Sequence, residues 1–372
     1  MKKNLFPIAI FLFLLGACTQ KPSEEKPCIA IDLEENIGKT ANETTLNDIF
    51  ELKKAIPLET SDSFLLPQRV YFVDVNDNEF ILSDRKAVYY VDHVSGKLRS
   101  ILNEKGEGPG KYIEMSSILL DNQSNLLIAD ENKQMLLKYS PNGDYIGNIP
   151  NDSIGETQML NNDFYAVNHR PQSSTKHLIS IYDKSWNLVR QSFPRDKENV
   201  VKSGMIFYDS FRKLNGESYF KHAFGDTIYH VTPLIDKPYI VIDKGSYKMP
   251  RELTGDFAKM KKESSNYIRN DLVWMIDNYM FIRYYYGDAI YSDIWNIEKE
   301  QLIHRNLIRR DEPGGTNGFP FVVDGVQVTV LPSYVSVDYL YCVVSAHEAM
   351  GFMPSVQEED NPVILALKLK TE

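Results

Sequence analysis

The stretch NEFILSDRKAVYYVDHVSGKL, residues 78–98, recurs in altered form as SNLLIADENKQMLLKYSPNGDY at residues 124–145. In each copy an apolar run ends at an aspartate, which is Asp84 in the first copy and Asp130 in the second. A turn and an alternating strand pattern follow, and each copy then reaches a glycine-containing turn of the type that joins hairpin strands. The stretch therefore predicts a repeated antiparallel unit.

Weaker copies of this pattern continue to the end of the chain. They occupy residues 162–189, 216–232 and 278–303, and residues 333–350 and 362–370 together supply the last one. Six strand clusters at a spacing of about 45–60 residues are typical of a β-propeller with four-stranded blades. The pattern thus predicts an all-β, six-bladed propeller of four-stranded antiparallel blades, a single domain over residues 45–370.

Two interruptions of the strand pattern predict helices. In residues 250–268, Leu253, Phe257 and Met260 stand at helical spacing behind a proline, which predicts a short helical insertion between blades. TLND at residues 45–48 fits a capping box, which predicts a turn of helix just before the first strand of the propeller.

Composition and charge favour a sheet protein and disfavour one class of partner. The chain has 372 residues with 22 tyrosines and 18 phenylalanines, which favour half-buried sheet surfaces. Its formal net charge is −10, and no cluster of lysine and arginine stands out. Because nucleic-acid binding needs such a cluster, a nucleic-acid partner is not expected.

The first residues have the pattern of an export signal. Two lysines precede an apolar run from Leu5 to Leu15, which is too short for a typical membrane-spanning helix, and small residues follow before Cys18. The sequence LGAC resembles the lipobox of bacterial lipoproteins, in which the cysteine becomes the lipid-bearing N-terminus. We therefore expect a signal peptide over residues 1–17 and lipidation of Cys18, with an ordinary secretory signal as the alternative. Loss of Lys2 and Lys3 would take the net charge from −10 to −12.

Residues 18–44 are expected to form the lipidated N-terminus and a polar tether. Acyl chains bury enough CH₂ groups to anchor a protein that does not itself span the bilayer. Thr19 stands where inner-membrane lipoproteins often carry aspartate, which favours the outer membrane. The acidic run at residues 23–25 resembles a surface-export signal, so both the periplasmic face and the cell surface stay open.

The glycine-rich stretch GEGPG at residues 106–110 has two interpretations. It does not match the spacing of a phosphate-binding loop, and Lys111 is followed by Tyr112 instead of serine or threonine. A strand pattern follows it, so no helix N-terminus is expected there. We predict a turn that crosses from the outer strand of one blade to the inner strand of the next, and a second glycine-rich stretch at 309–320 occupies the matching place.

The two glycine-rich loops and an aromatic run supply the candidate binding rim. Tyrosine is effective at ligand contacts, and RYYYGD at residues 283–288 holds three in succession. Because strand side chains alternate, at least one of these tyrosines is expected in the core. The candidate rim residues are Lys105, Glu107, Lys111, Tyr112, Arg309, Arg310, Tyr284 and Tyr286.

Other reactive side chains give weaker signals. His169 and His222 lie in strand-like stretches of consecutive blades and could face a central metal, but a structural role is the simpler interpretation. The sequence has neither CxxC nor HxxxH, so no metal and no cofactor are expected. Asp84 and Asp130 are expected to accept hydrogen bonds from turn N–H groups. Whether Cys28 and Cys342 pair stays open, and catalytic residues cannot be named.

The repeats, the GEGPGKY loop, GDTIYHVTP and the closing NPVILALKLK together resemble the six-bladed propeller lipoproteins of Bacteroidetes, relatives of the NHL and TolB-like propellers. The resemblance spans about residues 45–370 and implies the fold without an established activity. We expect a non-enzymatic envelope lipoprotein that binds a glycan, a peptide or a partner protein. The alternative is a hydrolase or lyase that acts on carbohydrate or peptide in the central channel.

Overall fold

The described strands form six sheets of four or five strands around a common axis, together with one separate two-stranded hairpin. The computed structural model describes residues 28–41, 44–66, 70–76, 78–150, 155–160, 164–169, 175–195, 210–254, 256–309 and 318–370. No helix in these ranges is long and apolar enough to cross a membrane. The predicted six-bladed propeller of four-stranded blades is confirmed.

Each of the first three blades is a meander of four consecutive strands. Blade 1 contains β3 (Tyr71–Val75), β4 (Glu79–Ser83), β5 (Val88–Asp92) and β6 (Leu98–Leu102). Blade 2 contains β7 (Ser117–Leu120), β8 (Leu126–Asp130), β9 (Met135–Tyr139) and β10 (Tyr145–Pro150). Blade 3 contains β11 (Gly155–Met159), β12 (Phe164–His169), β13 (His177–Asp183) and β14 (Leu188–Pro194).

In the other three blades the meander recurs, and blades 4 and 6 each also take one strand from the N-terminal part of the chain. Blade 4 contains β15 (Ser210–Leu214), β16 (Glu217–Lys221), β17 (Thr227–Val231), β18 (Asp236–Asp243) and an added strand, β1 (Ile29–Asp32). Blade 5 contains β19 (Arg269–Ile276), β20 (Tyr279–Tyr286), β21 (Ala289–Asn296) and β22 (Gln301–Arg309). Blade 6 contains β25 (Pro332–Val335), β26 (Tyr339–Val344), β27 (Val363–Leu369) and β2 (Phe50–Pro57).

Burial explains why the sequence pattern differs between the strands of one blade. In blade 2, all five residues of β8 are buried, whereas the outer strand β10 has no buried residue. The second strand of a blade is covered by the neighbouring blade on each side, so it reads as a continuous apolar run. The outer strand faces solvent and reads as polar, which is why the sequence repeats are clearest at the second and third strands.

The ring closes because its last blade takes its outer strand from the start of the propeller. β2 pairs antiparallel with β27 along its whole length, from Phe50 opposite Leu369 to Pro57 opposite Val363. The inner strands of successive blades contact one another around the axis, and β25 contacts β3 to complete the circuit. Closure removes the open sheet edges that would otherwise expose unpaired backbone groups.

The segment before β2 belongs to the folded body, contrary to the expectation of a tether that reaches residue 44. β1 pairs parallel with β18, and the short helix α1 (Leu33–Asn36) follows with Leu33 fully buried. The side chain of Arg305 in β22 donates hydrogen bonds to the backbone carbonyls of Asn36, Ile37 and Lys39. The apolar residues of β1 and α1 drive this docking, because their burial releases ordered water.

Two local predictions about helices are confirmed, and one hairpin was not predicted. Helix α2 (Leu46–Ile49) starts with the predicted capping box between Thr45 and Asp48. The predicted insertion contains α3 (Arg251–Thr254) and α4 (Phe257–Glu263), so it is confirmed as well. The hairpin of β23 (Phe319–Val323) and β24 (Val326–Val330) was not predicted, and it packs against α2 and β26.

The predicted crossing turn at residues 106–110 is confirmed. A phosphate-binding loop presents backbone N–H groups to its ligand, whereas this loop presents backbone carbonyl oxygens to a lysine. It connects β6 to β7, and Gly106 N donates to the carbonyl of Tyr112 over 2.8 Å. The Lys133 ammonium donates hydrogen bonds to three backbone carbonyls of this loop, those of Glu107, Gly108 and Lys111. A loop that directs carbonyl oxygens towards a cation would repel a phosphate.

Candidate functional site: the central channel

The inner strands of the six blades enclose a channel with a cavity volume of about 580 Å³. This volume lies within the range of about 300–1,000 Å³ that is usual for small-molecule sites. Charged and aromatic residues from five of the six inner strands line it, among them Asp74, Glu156, Arg212, Lys213, Trp274 and Tyr334. The channel is therefore the candidate functional site.

Four of these side chains occupy similar levels along the axis. Asp74, Arg212, Trp274 and Tyr334 each lie within the last three residues of their inner strands. Since all inner strands of a propeller run in the same direction, equivalent strand positions form a ring at one depth of the channel. The ring combines a carboxylate, a guanidinium and two aromatic side chains, and the six-fold arrangement of strands brings them together from distant parts of the sequence.

Asp74 is held in place by the neighbouring blade. The Tyr334 hydroxyl donates a hydrogen bond of 2.6 Å to Asp74 Oδ1, and the same oxygen accepts from the backbone N–H of Val75 over 2.8 Å. Burial, together with the nearby Asp74 charge, raises the pKa of Tyr334, so its hydroxyl keeps its proton. Asp74 Oδ1 thus accepts two hydrogen bonds from neighbouring residues of the protein, and Asp74 still lines the channel.

Arg212 and Glu156 form the basic and acidic parts of the opposite wall. Arg212 donates from Nε to the carbonyl of Val273 over 2.5 Å and from Nη1 to that of Phe211 over 2.7 Å. Burial lowers the pKa of Arg212, and the negative charge of Glu156 opposes that effect. A Glu156 oxygen also accepts from the backbone N–H of Phe211 over 3.3 Å. These contacts hold the Glu156 and Arg212 side chains against blades 4 and 5.

The predicted rim residues of the first glycine-rich loop divide into exposed and buried ones. Lys105, Glu107 and Lys111 are exposed, and Lys111 lies 3.7 Å from Glu104 in an ion pair. Tyr112 is only 1% exposed, and its hydroxyl donates to the carbonyl of Lys86 over 2.6 Å. The position of Tyr112 corrects its assignment to the rim, since this residue fastens the loop onto blade 1.

The aromatic run shows the same division. Tyr284 is fully buried, stacks on Tyr291 at a centroid distance of 4.9 Å and donates to Asp293 over 3.0 Å, so its assignment to the rim is corrected too. Tyr286 is half-buried against Tyr247. The expectation that at least one of these tyrosines lies in the core is thus met by Tyr284.

The remaining rim and anchor residues are only partly described. Arg309 is exposed at the end of β22, whereas Arg310 lies outside the described residues, as does most of the second glycine-rich stretch. Cys18 and the whole signal segment lie outside them as well. Cys28 and Cys342 are both free thiols, the first exposed and the second buried.

The histidines and the repeated aspartates have structural surroundings. His169 Nε2 lies 2.7 Å from Ser180 Oγ inside blade 3. Within the described parts of the chain, no three His, Cys, Asp or Glu side chains converge to hold a metal ion. Asp84 accepts from the N–H groups of Lys86 and Ala87, which confirms the predicted role in its turn.

Asp130 has the same role with one addition. It accepts from the N–H groups of Asn132 and Lys133 in its turn, and its second oxygen accepts from Ile113 N over 2.6 Å. It therefore also fastens the crossing loop between blades 1 and 2.

The channel residues were missed because the repeats begin at the second strand of a blade. The inner strand YFVDV at residues 71–75 precedes the first repeat, and its Asp74 interrupts an otherwise apolar and aromatic run. A polar residue inside the short strand before each repeat is the signal that points to the channel. Glu156 in GETQM and Arg212 in SFRKL follow the same rule.

The model of one protein family covers almost the entire described fold. The family, a domain of unknown function designated DUF4934, matches residues 28–368. The chain belongs to the DUF4934 family. The match includes β1 and α1, so the family's shared domain begins before the residue 45 start that the repeats predict. No curated protein matches this DUF4934 chain significantly.

Two solved structures show the same propeller architecture. One is a Bacteroides fragilis protein that is believed to be exported, with 17% identity, a TM-score of 0.70, and coverage of 93% of this chain and 100% of the other. The other is a member of the DUF4221 family from Bacteroides vulgatus, with 12% identity, a TM-score of 0.54, and coverage of 87% and 98%. At these identities the likeness of the DUF4934 chain to both shows the fold.

Proposed function

We propose that this DUF4934 protein is a lipid-anchored binding protein of the cell envelope that holds a glycan or peptide segment in its central channel. The observation that carries the proposal is the channel itself, in which fixed charges of both signs stand beside Trp274 and Tyr334. Aromatic faces provide contact area for sugar rings and side chains, while carboxylate and guanidinium groups orient hydroxyl and amide groups.

An envelope location is supported by the sequence and by the fold neighbours. The N-terminal residues have the pattern of a lipoprotein signal that ends at Cys18. The structurally similar protein of Bacteroides fragilis is believed to be exported. We propose anchoring to the outer membrane, on either the periplasmic or the outer surface.

The position at which the described chain enters the fold suits such an anchor. β1 is the fifth and outermost strand of blade 4, so residue 28 lies at the edge of the propeller, far from its axis. An extended chain spans at most about 3.3–3.6 Å per residue, so the ten residues from 18 to 27 would reach about 35 Å. A lipid at Cys18 would therefore hold the edge of the propeller near the membrane.

Lipidation is tested by metabolic labelling with a palmitate analogue in a Gram-negative host. The intact chain should carry the label and fractionate with membranes, and Cys18→Ser should lose both properties. Cys28→Ser is the matched control, because this second cysteine lies only ten positions later and should leave the labelling unchanged. Equal labelling of the Cys18→Ser variant would contradict the anchor.

Channel binding is tested with a glycan array and a peptide array, followed by titration calorimetry of any hit. Asp74→Asn and Lys213→Met should weaken binding by about tenfold or more, because each removes a charged group that lines the channel. Lys237→Met, an exposed position on β18 of blade 4, is the control and should bind like the wild type. A ligand that binds all variants equally would place the site elsewhere.

A second candidate function is hydrolysis or elimination in the same channel. The observation that favours it is the presence of two carboxylates, Asp74 and Glu156, in one cavity. Carboxylate pairs provide general acid and base groups in glycoside hydrolysis. If a bound glycan or peptide is cleaved over time, and Glu156→Gln stops cleavage while it retains binding, the enzymatic function replaces the binding one.

A further inference from the structure

A buried ionic cluster lies between blades 4 and 5, away from the channel lining. Lys221 and Lys244 are 5% and 3% exposed, and both contact the same carboxylate oxygen, Oδ2 of Asp271, over 2.7 and 3.1 Å. Two buried ammonium groups thus share one buried carboxylate. Such an arrangement is costly unless further negative charge or hydrogen bonding compensates it.

The cluster continues towards the surface through a second aspartate. Asp226 contacts Lys244 over 3.4 Å and Lys248 over 2.5 Å. The row therefore alternates as lysine, aspartate, lysine, aspartate and lysine, with three ammonium groups and two carboxylates. By formal charge the row has one positive charge in excess. Burial, together with the charge of Lys244, lowers the pKa of Lys221 against the attraction of Asp271.

A cavity of about 140 Å³ adjoins this row beneath the helical insertion. Lys244, Lys248 and Arg269 provide cationic groups on its lining, and Asp271 is the acidic residue among them. The rest of the lining is largely apolar and consists of Ala223, Phe224, Met249, Met260 and Ile268, with Ser264 as a polar exception. The cavity is thus cationic on one side and apolar on the other.

We propose that this cavity is a binding site for a small monocarboxylate with a short aliphatic body. The carboxylate would lie against Lys244 and Lys248 and neutralise the excess positive charge of the row. The carbon chain would contact the methionine and phenylalanine side chains, which offer nothing to a phosphate or sulfate ion. The volume lies well below the range of about 300–1,000 Å³ for drug-sized ligands, so the ligand has only a few carbon atoms.

The helical insertion covers one side of the cavity. Met260 in α4 is 2% exposed and Ile268 just after the insertion is 3% exposed, so both face inward over the cavity. The Lys248 side chain is 53% exposed and marks the opening towards solvent. A ligand that fills the cavity would contact both the insertion and blade 4, and it should therefore stabilise the insertion against unfolding.

The test is calorimetric titration of the full chain with acetate, butyrate, octanoate, butyramide and inorganic phosphate. Butyrate should bind more tightly than acetate, because its longer chain contacts the apolar wall, and more tightly than octanoate, which exceeds the cavity. Butyramide, which is uncharged, and phosphate, which has no apolar part, should not bind. Binding of phosphate as tight as that of butyrate would overturn the assignment to carboxylates, and absence of carboxylate binding at millimolar concentrations would overturn the site.

Lys244→Met should weaken butyrate binding by about tenfold or more, since it removes the central ammonium group of the row. In this variant Asp271 still forms its ion pair with Lys221, and Asp226 still forms its ion pair with Lys248. Each carboxylate therefore retains one cationic partner, and the variant is expected to fold. Lys262→Met, an exposed position on α4, is the matched control and should bind like the wild type. Equal butyrate affinity of the Lys244→Met variant would overturn the proposal.

A second variant leaves all charges in place. Ala223→Leu adds three carbon atoms to the cavity lining and should abolish butyrate binding, with the circular dichroism spectrum unchanged. In the wild type, hydrogen exchange of residues 256–268 should slow when butyrate is added, and in Ala223→Leu it should not respond. If butyrate binds Ala223→Leu as it binds the wild type, the ligand lies outside this cavity.

Discussion

At the scale of single residues, Arg305 shows how a buried charge can join parts of the chain that are distant in sequence. Arg305 is only 7% exposed, and its guanidinium forms an ion pair with Asp293 over 2.6 Å. The same group donates hydrogen bonds to the backbone carbonyls of residues 36, 37 and 39. Tyr284 completes the group, because its hydroxyl contacts both Asp293 and Arg305. The Arg305 side chain thus helps to fasten the N-terminal segment to blade 5, together with contacts from Glu300 to Ala30 and from His304 to Thr44.

Arg305→Met should destabilise the fold strongly. The change leaves the Asp293 carboxylate buried without its cation and removes the Arg305 hydrogen bonds to three N-terminal carbonyls. The removal of one partner of a buried pair costs about 3–5 kcal/mol. Urea unfolding followed by tryptophan fluorescence measures the loss. Lys39→Met, which breaks only an exposed pair with Glu35, is the control and should unfold at nearly the wild-type urea concentration.

Acid should destabilise the propeller in part through its turn aspartates. Backbone N–H donation from Ser95 and the Arg99 side chain hold the pKa of Asp92 below its usual value, and Asn187 does the same for Asp183. A carboxyl whose pKa is lower in the folded state stabilises the fold above its unfolded pKa of about 3.9, and this stabilisation is lost as the pH falls through the folded pKa.

The Asp92→Asn variant should therefore lose less stability than the wild type when thermal unfolding is followed from about pH 5 down to about pH 2. Asp324→Asn, in the exposed turn of the β23–β24 hairpin, serves as the control and should follow the wild-type curve. Parallel curves for Asp92→Asn and the wild type would show that this carboxyl does not contribute to acid unfolding.

At the scale of elements, the crossing loop between blades 1 and 2 depends on one glycine more than on its neighbour. Gly110 has φ of +67°, and a Cβ there would lie 2.8 Å from the Tyr145 ring. Gly108 has no positive φ, and a Cβ there would meet only the flexible end of Lys111 at 3.8 Å. The Tyr139 hydroxyl, which donates to the carbonyl of Gly110, fixes the backbone at this point.

Gly110→Ala should lower the free energy of unfolding by about 1–3 kcal/mol, because alanine is strained in the left-handed region and crowds the Tyr145 ring. Gly108→Ala should change it by less than about 0.5 kcal/mol or stabilise slightly, since a permitted alanine reduces the freedom of the unfolded chain. Chemical denaturation of both variants makes the comparison. Similar losses in the two would mean that the loop responds to any side chain, irrespective of φ.

The same scale separates what the sequence could predict from what it could not. Hairpin turns, the capping box at Thr45 and the helical insertion depend on residues within a few positions of one another, so local patterns predict them. β1 has only four residues and gains its stability from parallel pairing with β18, more than 200 positions away, so no local pattern announces it. The core positions of Tyr112 and Tyr284 likewise depend on neighbouring strands.

At the scale of the whole molecule, the candidate site is harder to predict than the fold. The propeller follows from a repeat, and repeats are visible in a single sequence. The channel instead brings Asp74 beside Tyr334, which are 260 positions apart, and this contact exists only because the ring closes. Closure of the ring depends on all six blades together, so the spacing of residues within one blade cannot predict which side chains meet in the channel.

Ring closure by β2 gives the last prediction. A chain that begins at residue 58 lacks the outer strand of blade 6, which exposes the edge of β27 and removes Phe50 and Ile56 from the core, where they are 1% and 3% exposed. Open edges promote association, so this chain should aggregate or unfold without a cooperative transition. A synthetic peptide of residues 45–57 should restore folding by occupying the vacant position, and light scattering with thermal unfolding records both results.

A chain that begins at residue 44 is the matched control, because it loses β1 and α1 but keeps the closing strand. It should stay monomeric and unfold cooperatively, with a stability lower by about 3–6 kcal/mol for the loss of the fully buried Ile31 and Leu33. The contrast between the two truncations separates closure from simple loss of apolar contacts. If the chain from residue 58 unfolds cooperatively at the same temperature as the chain from residue 44, closure by β2 does not hold the ring together, and the inner-strand contacts around the channel suffice.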